Sequence, residues 1–262
     1  MLSQSHFQVI SEPELSSAPP NGYGETMLKL VVATRNAHKV GEIAAILGPG
    51  LRCISLSAFP TLPKIVEDSP TFAGNATAKA IQVAKWLVRT GGGLPHLGPA
   101  DQAMVLADDS GLEVDAINGA PGVHSARFSA LDSGASGNAS DTDNNAKLLN
   151  LLKDVPQAER TARFRCVLAL TPVRVLPPQN ASTVCMADEL ELETQLYEGV
   201  CEGHIASAPS GQGGFGYDPL FIPNGYTESF GELGEGVKNQ ISHRARALAS
   251  LKEALKHLNL NP

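Results

Sequence analysis

Asp108 and Asp109 stand side by side after an apolar run, Met104 to Ala107, and ahead of Ser110 and Gly111. A strand that turns through Ser110 and Gly111 would set both carboxylates at the exposed end of a buried element, where α/β proteins keep their chemistry. If the strand instead persists through the pair, its period of two sends the two side chains to opposite faces. One could then meet a ligand while the other is tied to the scaffold. Glu67 is a second acid, just ahead of a helical segment. Paired with Asp109 it could hold Mg²⁺, which favours one or two carboxylates plus substrate phosphates. Taken alone, each acid reads more readily as part of a solvated loop or turn, and its company changes that.

The basic residues fall in equally suggestive places. Thr34, Arg35, Asn36, Ala37, His38 and Lys39 join an apolar strand to a helix, so helix-start amides, a hydroxyl, an amide side chain and a lysine converge on one spot. That is a natural phosphate site. The plainer reading makes Asn36 an N-cap and leaves Lys39 in solvent. Lys79 sits about two turns into the next helix, and Lys238 lies in Glu235 to Asn239. Ser242, His243 and Arg244 open the last helix, where cations oppose the usual preference for acids and an anionic ligand would explain them. In Gly211 to Pro223, close-spaced glycines let backbone approach a ligand, and Phe215 and Tyr217 offer ring faces that could stack on a base.

The elements that must position these residues follow from hydrophobic period. Leu28 to Ala33 and Leu51 to Ser57 read as strands, with a helix from Val40 to Leu47 after the first. Thr71 to Val88 and Asp141 to Asp154 read as helices, Thr161 to Thr171 as a long alternating strand, and Leu192 to Ala206 as a return to the sheet. Apolar residues at 241, 245, 248, 251, 255 and 258 mark an amphipathic helix. Residues 1–26 read as a disordered extension and 27–262 as one domain, with surface insertions at about 91–103 and 172–191. Met27 stands just before the first strand, so translation starting there is a rival account of the extension.

Composition narrows the class. Hydrophobic residues at 42% and charged residues at 18% describe a globular chain. No apolar run approaches the roughly 20 residues that span a bilayer. A formal charge of -7 argues against nucleic-acid or anionic-membrane binding. Cys53, Cys166, Cys185 and Cys201 are scattered and suggest buried thiols in a reducing, cytoplasmic compartment.

Taken in order, the pieces resemble a known family. Thr34-x-Asn36-x-x-Lys39, Thr71-Phe72-x-x-Asn75-Ala76 after an acid, and Ala107-Asp108-Asp109-Ser110-Gly111-Leu112 are followed by Gly119-Ala120-Pro121-Gly122 with Ser125-Ala126-Arg127-Phe128. Gly214-Phe215-Gly216-Tyr217-Asp218-Pro219 and Ser242-His243-Arg244 complete the series. The chain is similar to the inosine triphosphatase family, the Ham1-like or RdgB-like pyrophosphatases of non-canonical purine nucleoside triphosphates. That resemblance implies an elongated α/β fold, with a central mixed sheet, helices and two lobes flanking a nucleotide cleft. It also implies a homodimer and Mg²⁺-dependent cleavage between the α and β phosphates. By position, Asp109 matches the family's catalytic base and metal-associated carboxylate, and Glu67 its other metal-side acid. Thr34 to Lys39, Ser110, Phe215 to Asp218, Lys238, His243 and Arg244 match its phosphate and base contacts. Gly74 departs from the acid common before Asn-Ala, His124 from a common Tyr, and Arg35 from a small residue.

The expected mechanism follows from charge. Mg²⁺ on Glu67 and Asp109, with Lys39 and Lys79 on the phosphate tail, would offset about four negative charges while Asp109 orients water at the α phosphorus. Lys238, His243 and Arg244 are the candidates for reading a 6-oxo purine, since a donor there repels the amino group of adenine. Two rivals stand beside this reading: a Maf-like pyrophosphatase of other modified nucleotides, and a nucleotide sensor without turnover.

Overall fold

The computed structural model describes residues 28–90, 103–132, 134, 137–173 and 193–257. The expected extension, Met27, Cys185 and nearly all of the two expected insertions lie outside the described residues. Ala103 and Pro172, assigned above to insertions, belong instead to strands.

Six strands form one mixed sheet in the order β2-β1-β3-β4-β5-β6. They are β1 (Lys29–Val32), β2 (Arg52–Ser55), β3 (Ala103–Val114), β4 (Thr161–Pro172), β5 (Gln195–Ile205) and β6 (Phe221–Pro223). β1 runs parallel to both β2 and β3, whereas β3 to β6 are antiparallel. The helices are α1 (Ala37–Leu47), α2 (Phe72–Arg89), α3 (Asp141–Leu151), α4 (Phe230–Ile241) and α5 (His243–His257). Among the described residues no helix is long and apolar enough to cross a membrane.

Strand period divides the core between the two faces. Val31, Val105, Ala107, Val167 and Ala169 point to one face, where Ala76, Ala80, Val83, Ala84 and Leu87 of α2 cover them. Alanines at the centre of that stripe let α2 lie close to the sheet. Leu30, Val32, Leu106, Leu168 and Leu170 point the other way, against Ile43 and Leu47 of α1 and Ala247, Leu248 and Leu251 of α5. A third cluster, around Leu112, Phe164, Phe221 and Phe230, fills the far ends of β3 and β4. Helix α5 touches the sheet through Gly199 of β5, where a Cβ would lie 2.0 Å from the His243 carbonyl oxygen and 2.5 Å from the Ala247 nitrogen.

β3 does not turn at Ser110 and Gly111. β4 pairs with it from Met104 to Val114, and this continuous ladder carries the strand straight through both aspartates. β1, by contrast, stops at Val32 opposite Leu106. Among the described residues no strand pairs with that flank from Ala107 onward. The Thr34–Lys39 connection runs past its first part, and from Leu112 the 118–125 turn holds it, with Leu112 N donating to Ser125 Oγ at 2.9 Å and Val114 N to the Ala120 carbonyl at 3.1 Å.

Candidate active site

Because β3 persists, Asp108 and Asp109 face opposite ways. Asp108 shares its face with Ser110 and is 1% exposed. Its Oδ1 accepts from Lys39 Nζ at 2.5 Å and from Ser110 Oγ at 2.7 Å, and its Oδ2 accepts from Arg244 Nε at 2.8 Å. Burial alone would raise this carboxyl, but the Arg244 guanidinium and Lys39 ammonium outweigh it and hold Asp108 well below the usual carboxylate range. Arg244 NH2 also donates to Ser110 Oγ at 2.9 Å, and its NH1 pairs with Glu42 of α1. Glu42 in turn accepts Lys238 Nζ at 2.6 Å, and Lys238 reaches Asp218 Oδ2 at 2.6 Å. Lys39, Asp108, Arg244, Glu42, Lys238 and Asp218 thus form one buried chain of alternating charge. The cations in the first turn of α5 oppose its dipole because Asp108 and Glu42 hold Arg244 there; no ligand is needed to explain it.

This chain floors a recess of about 120 Å³. Asn36, Lys39, Ser110, Phe215, Gly216, Tyr217, Asp218, Lys238, His243 and Arg244 all line it, with Phe164 and Asp141. His243 stacks on Phe164, ring centroids 4.8 Å apart and 16° from parallel. Burial, then Arg244 and Lys238, lower its pKa well below the ordinary histidine value, so the ring is neutral. Its Nδ1 is buried without a hydrogen-bond partner among the described residues. The Phe215 loop is fixed from three sides. Phe215 N donates to Asp218 Oδ2 at 2.8 Å, Gly216 N to Asp141 Oδ2 at 2.7 Å, and Asn145 Nδ2 to the Gly216 carbonyl at 3.0 Å. The Tyr217 hydroxyl donates to the Ser125 carbonyl at 3.0 Å.

Four of the expected contact residues lie outside that recess. Ala37 and His38 line a neighbouring one of about 220 Å³ that shares Phe215. There His38 stacks on the Phe215 ring, centroids 5.5 Å apart. Arg35 donates to the Leu62 carbonyl at 3.2 Å, and Thr34 Oγ1 accepts from Asn36 N at 3.1 Å. Asn36 is the N-cap of α1, accepting from the amides of His38 and Lys39. Lys39 is not in solvent: it is bound to Asp108.

Asp109 lies on the α2 face with Glu67 and Lys79. Lys79, only 7% exposed, sits 2.8 Å from Glu67 Oε2 and 3.8 Å from Asp109 Oδ1, and donates to the Asp108 carbonyl at 3.1 Å. Burial pushes the Asp109 carboxyl up to about 6, against the opposing pull of Lys79 and Lys39 and of the Asn75 amide. Its Oδ2 is buried with no hydrogen-bond partner among the described residues. Two carboxylates around one ammonium, one of them with an unused oxygen, fit a site for a divalent cation. No group of three or more His, Cys, Asp or Glu suited to a metal occurs among the described residues, so the remaining donors would come from a ligand such as phosphate.

The two half-sites lie on either face of β3 where β1 ends, between Ala107 and Gly111. A larger cavity, about 540 Å³, lies under the 118–124 turn beside the exposed Glu113–Arg165–Glu198 ladder, and none of the expected site residues lines it. Glu42, Asn75, Phe164 and Asp141 belong to the site but were not among the residues expected from the sequence. Glu42 had a local signal, three residues after Lys39 on the same helical face, and Asn75 stood within one of the quoted motifs.

The Ham1 family profile matches residues 30–254. A protein of Desulforamulus reducens named dITP/XTP pyrophosphatase is 44% identical over 235 residues, covering 89% of this chain and 98% of that protein. One of the same name from Geobacter sulfurreducens is 45% identical over 230 residues, covering 87% and 97%. Among solved structures, a HAM1 protein from Coxiella burnetii superposes with a TM-score of 0.67 at 34% identity, covering 88% of this chain and 100% of that one. The Staphylococcus aureus Ham1 protein gives 0.65 at 32%, covering 87% and 98%. With its mixed sheet, its six motifs in order and relatives matched over nearly their whole length, the chain belongs to the Ham1 family.

Proposed function

We propose that this chain hydrolyses the non-canonical purine nucleoside triphosphates ITP, dITP and XTP to the nucleoside monophosphate and pyrophosphate, with Mg²⁺ as cofactor. The observation that carries the reading is the stretch of β3 beyond the end of β1, with a base-sized recess on one face and an orphaned carboxylate on the other. The recess is well below the roughly 300 Å³ of a pocket for a whole small molecule. It takes the base end, and the triphosphate runs past Asn36 and Lys39 to Asp109.

Each residue then has a physical task. Phe215, Phe164 and the neutral His243 ring bound the purine, with His243 Nδ1 free to bond its edge. Lys238 and Arg244, oriented by Glu42, Asp108 and Asp218, present donors that accept a 6-oxo group and disfavour the 6-amino group of adenine. Lys39 and Lys79 offset phosphate charge. Asp109, with a carboxyl near the working pH and an unused oxygen, orients and deprotonates water at the α phosphorus. Glu67 and Asp109 would hold Mg²⁺, which when bound neutralises charge on the phosphate oxygens. The same reading makes the enzyme a homodimer, as the family resemblance implies, and a cytoplasmic one, as its scattered cysteines suggest.

Pyrophosphate release from dITP in Mg²⁺, set against ATP and against the Asp109→Asn variant, tests this directly. The expected result is rapid release from dITP, little from ATP and almost none from the variant. Turnover of dITP by Asp109→Asn at the parent rate would refute the base assignment, and tight dITP binding without turnover would favour a sensor.

A further inference from the structure

Helix α2 closes its N-terminal cap in an unusual way. Thr71 is the N-cap, and its Oγ1 accepts from Gly74 N at 3.1 Å. In a capping box the third helical residue is Glu or Gln, whose side chain reaches back to the N-cap amide. Here that residue is Gly74, and the Thr71 amide donates instead to Ser69 Oγ at 3.3 Å. A Cβ on Gly74 would lie 2.0 Å from Ser69 Oγ and 2.8 Å from Ser69 Cβ, so the serine fills the volume a side chain at 74 needs. α4 shows the ordinary arrangement in the same molecule, where Ser229 N donates to Glu232 at 2.9 Å.

The exchanged acceptor has a connection that Glu232 lacks. Ser69 lies on the loop that carries Glu67, and its own amide donates to Asn75 Oδ1 at 2.9 Å. The Asn75 side chain also lies beside Asp109 and favours its charged form. Two bonds from one residue therefore fasten the Glu67 loop to α2, and one of them ends on the side chain that steadies Asp109. We infer that Ser69 is a positioning residue: with Gly74 it latches this loop so that Glu67 and Asn75 stay in register with Asp109. The inference rests on the reading of Glu67 and Asp109 as the carboxylates of the reaction. Ser69 itself needs no contact with substrate.

An exchange of the two residues tests it. Ser69→Gly removes the hydroxyl and should lower the melting temperature by roughly 2–4 °C, the scale set by one lost cap. It should also cut kcat about tenfold while KM for dITP stays within about twofold, because alignment and not binding is lost. Gly74→Glu alone should melt lower still, since it collides with Ser69. Ser69→Gly combined with Gly74→Glu rebuilds a capping box and should restore melting and much of kcat. Melting is measured without nucleotide or metal, so it reports the cap independently of activity. A Ser69→Gly variant with lowered melting but parental kcat overturns the positioning role. A double variant no better than Ser69→Gly overturns the exchange. A parent chain that releases no pyrophosphate removes the functional reading and the positioning role with it, and the melting series then shows that the two have failed separately from the cap.

Discussion

Asp108 and Asp109 are consecutive residues of one strand, yet they sit in opposite electrostatic circumstances. On the α5 face, Asp108 accepts from a lysine, an arginine and a serine, and its charge is fully answered. On the α2 face, Asp109 has an oxygen with no partner and a carboxyl pushed up to about 6. Burial is common to both, so partners make the difference. A buried acid with every lone pair engaged belongs to the scaffold, whereas one left incomplete is held ready for something the protein does not itself supply. The two faces of β3 thus separate a satisfied carboxylate from an unsatisfied one within a single peptide unit.

Substitutions of like shape should separate these roles. The largest effect expected is on turnover: Asp109→Asn should lower kcat for dITP by about 10²–10⁴-fold, the usual worth of a general base, measured as pyrophosphate release. Next, Asp108→Asn should destabilise the fold by about 3–5 kcal/mol in urea unfolding, because Arg244 and Lys39 lose the charge that compensates their burial. A loss below about 1 kcal/mol would show that the chain of buried charges shares the burden more widely than its geometry indicates.

Third, Asp109→Asn should be more stable than the parent in chelator at pH 7.5, by roughly 2–3 kcal/mol at most. The folded pKa of Asp109 is raised, so the folded state holds its proton more tightly than the unfolded one. The penalty is absent below the unfolded value near 4 and complete above about 6. The stability gap between variant and parent should therefore be widest above pH 6 and close as pH falls towards 4. A gap independent of pH would place the strain elsewhere. The smallest effect is expected on the exposed side of the sheet. Arg163 pairs with Asp115 at 3.0 Å and Glu202 at 3.1 Å in solvent, and Arg163→Ala should change stability by no more than about 1 kcal/mol.

Much of the sheet was legible because its strands are apolar runs or clean alternations. The placing of Asp108 and Asp109 on opposite faces followed from strand period once the strand was allowed to continue. Whether it continued was not readable from Ser110 and Gly111, since the pairing with β4 that carries it lies far along the chain. Helix α4 was missed because Gly231, Gly234 and Gly236 dilute any helical pattern, and Gly234 breaks the helix with a φ of 73°. Its one local signal was the spacing of Ser229 and Glu232. Glu42 shows the same limit at the site. It pairs with Arg244 across 202 residues of sequence, and no local period reports such a partner. The isolated cations read as ligand contacts were, in part, already committed to carboxylates whose positions only the fold discloses.

Gly199 sets how closely the helix that carries His243 and Arg244 can approach the sheet. With hydrogen as its side chain, β5 lies directly against the first turn of α5, and the His243 carbonyl rests where a methyl group would be. Even alanine there would lift that turn outward, carrying the imidazole and the guanidinium with it. Under the function proposed above, the discrimination between one purine and another would then be a matter of clearance, set from behind by the thickness of a single absent carbon.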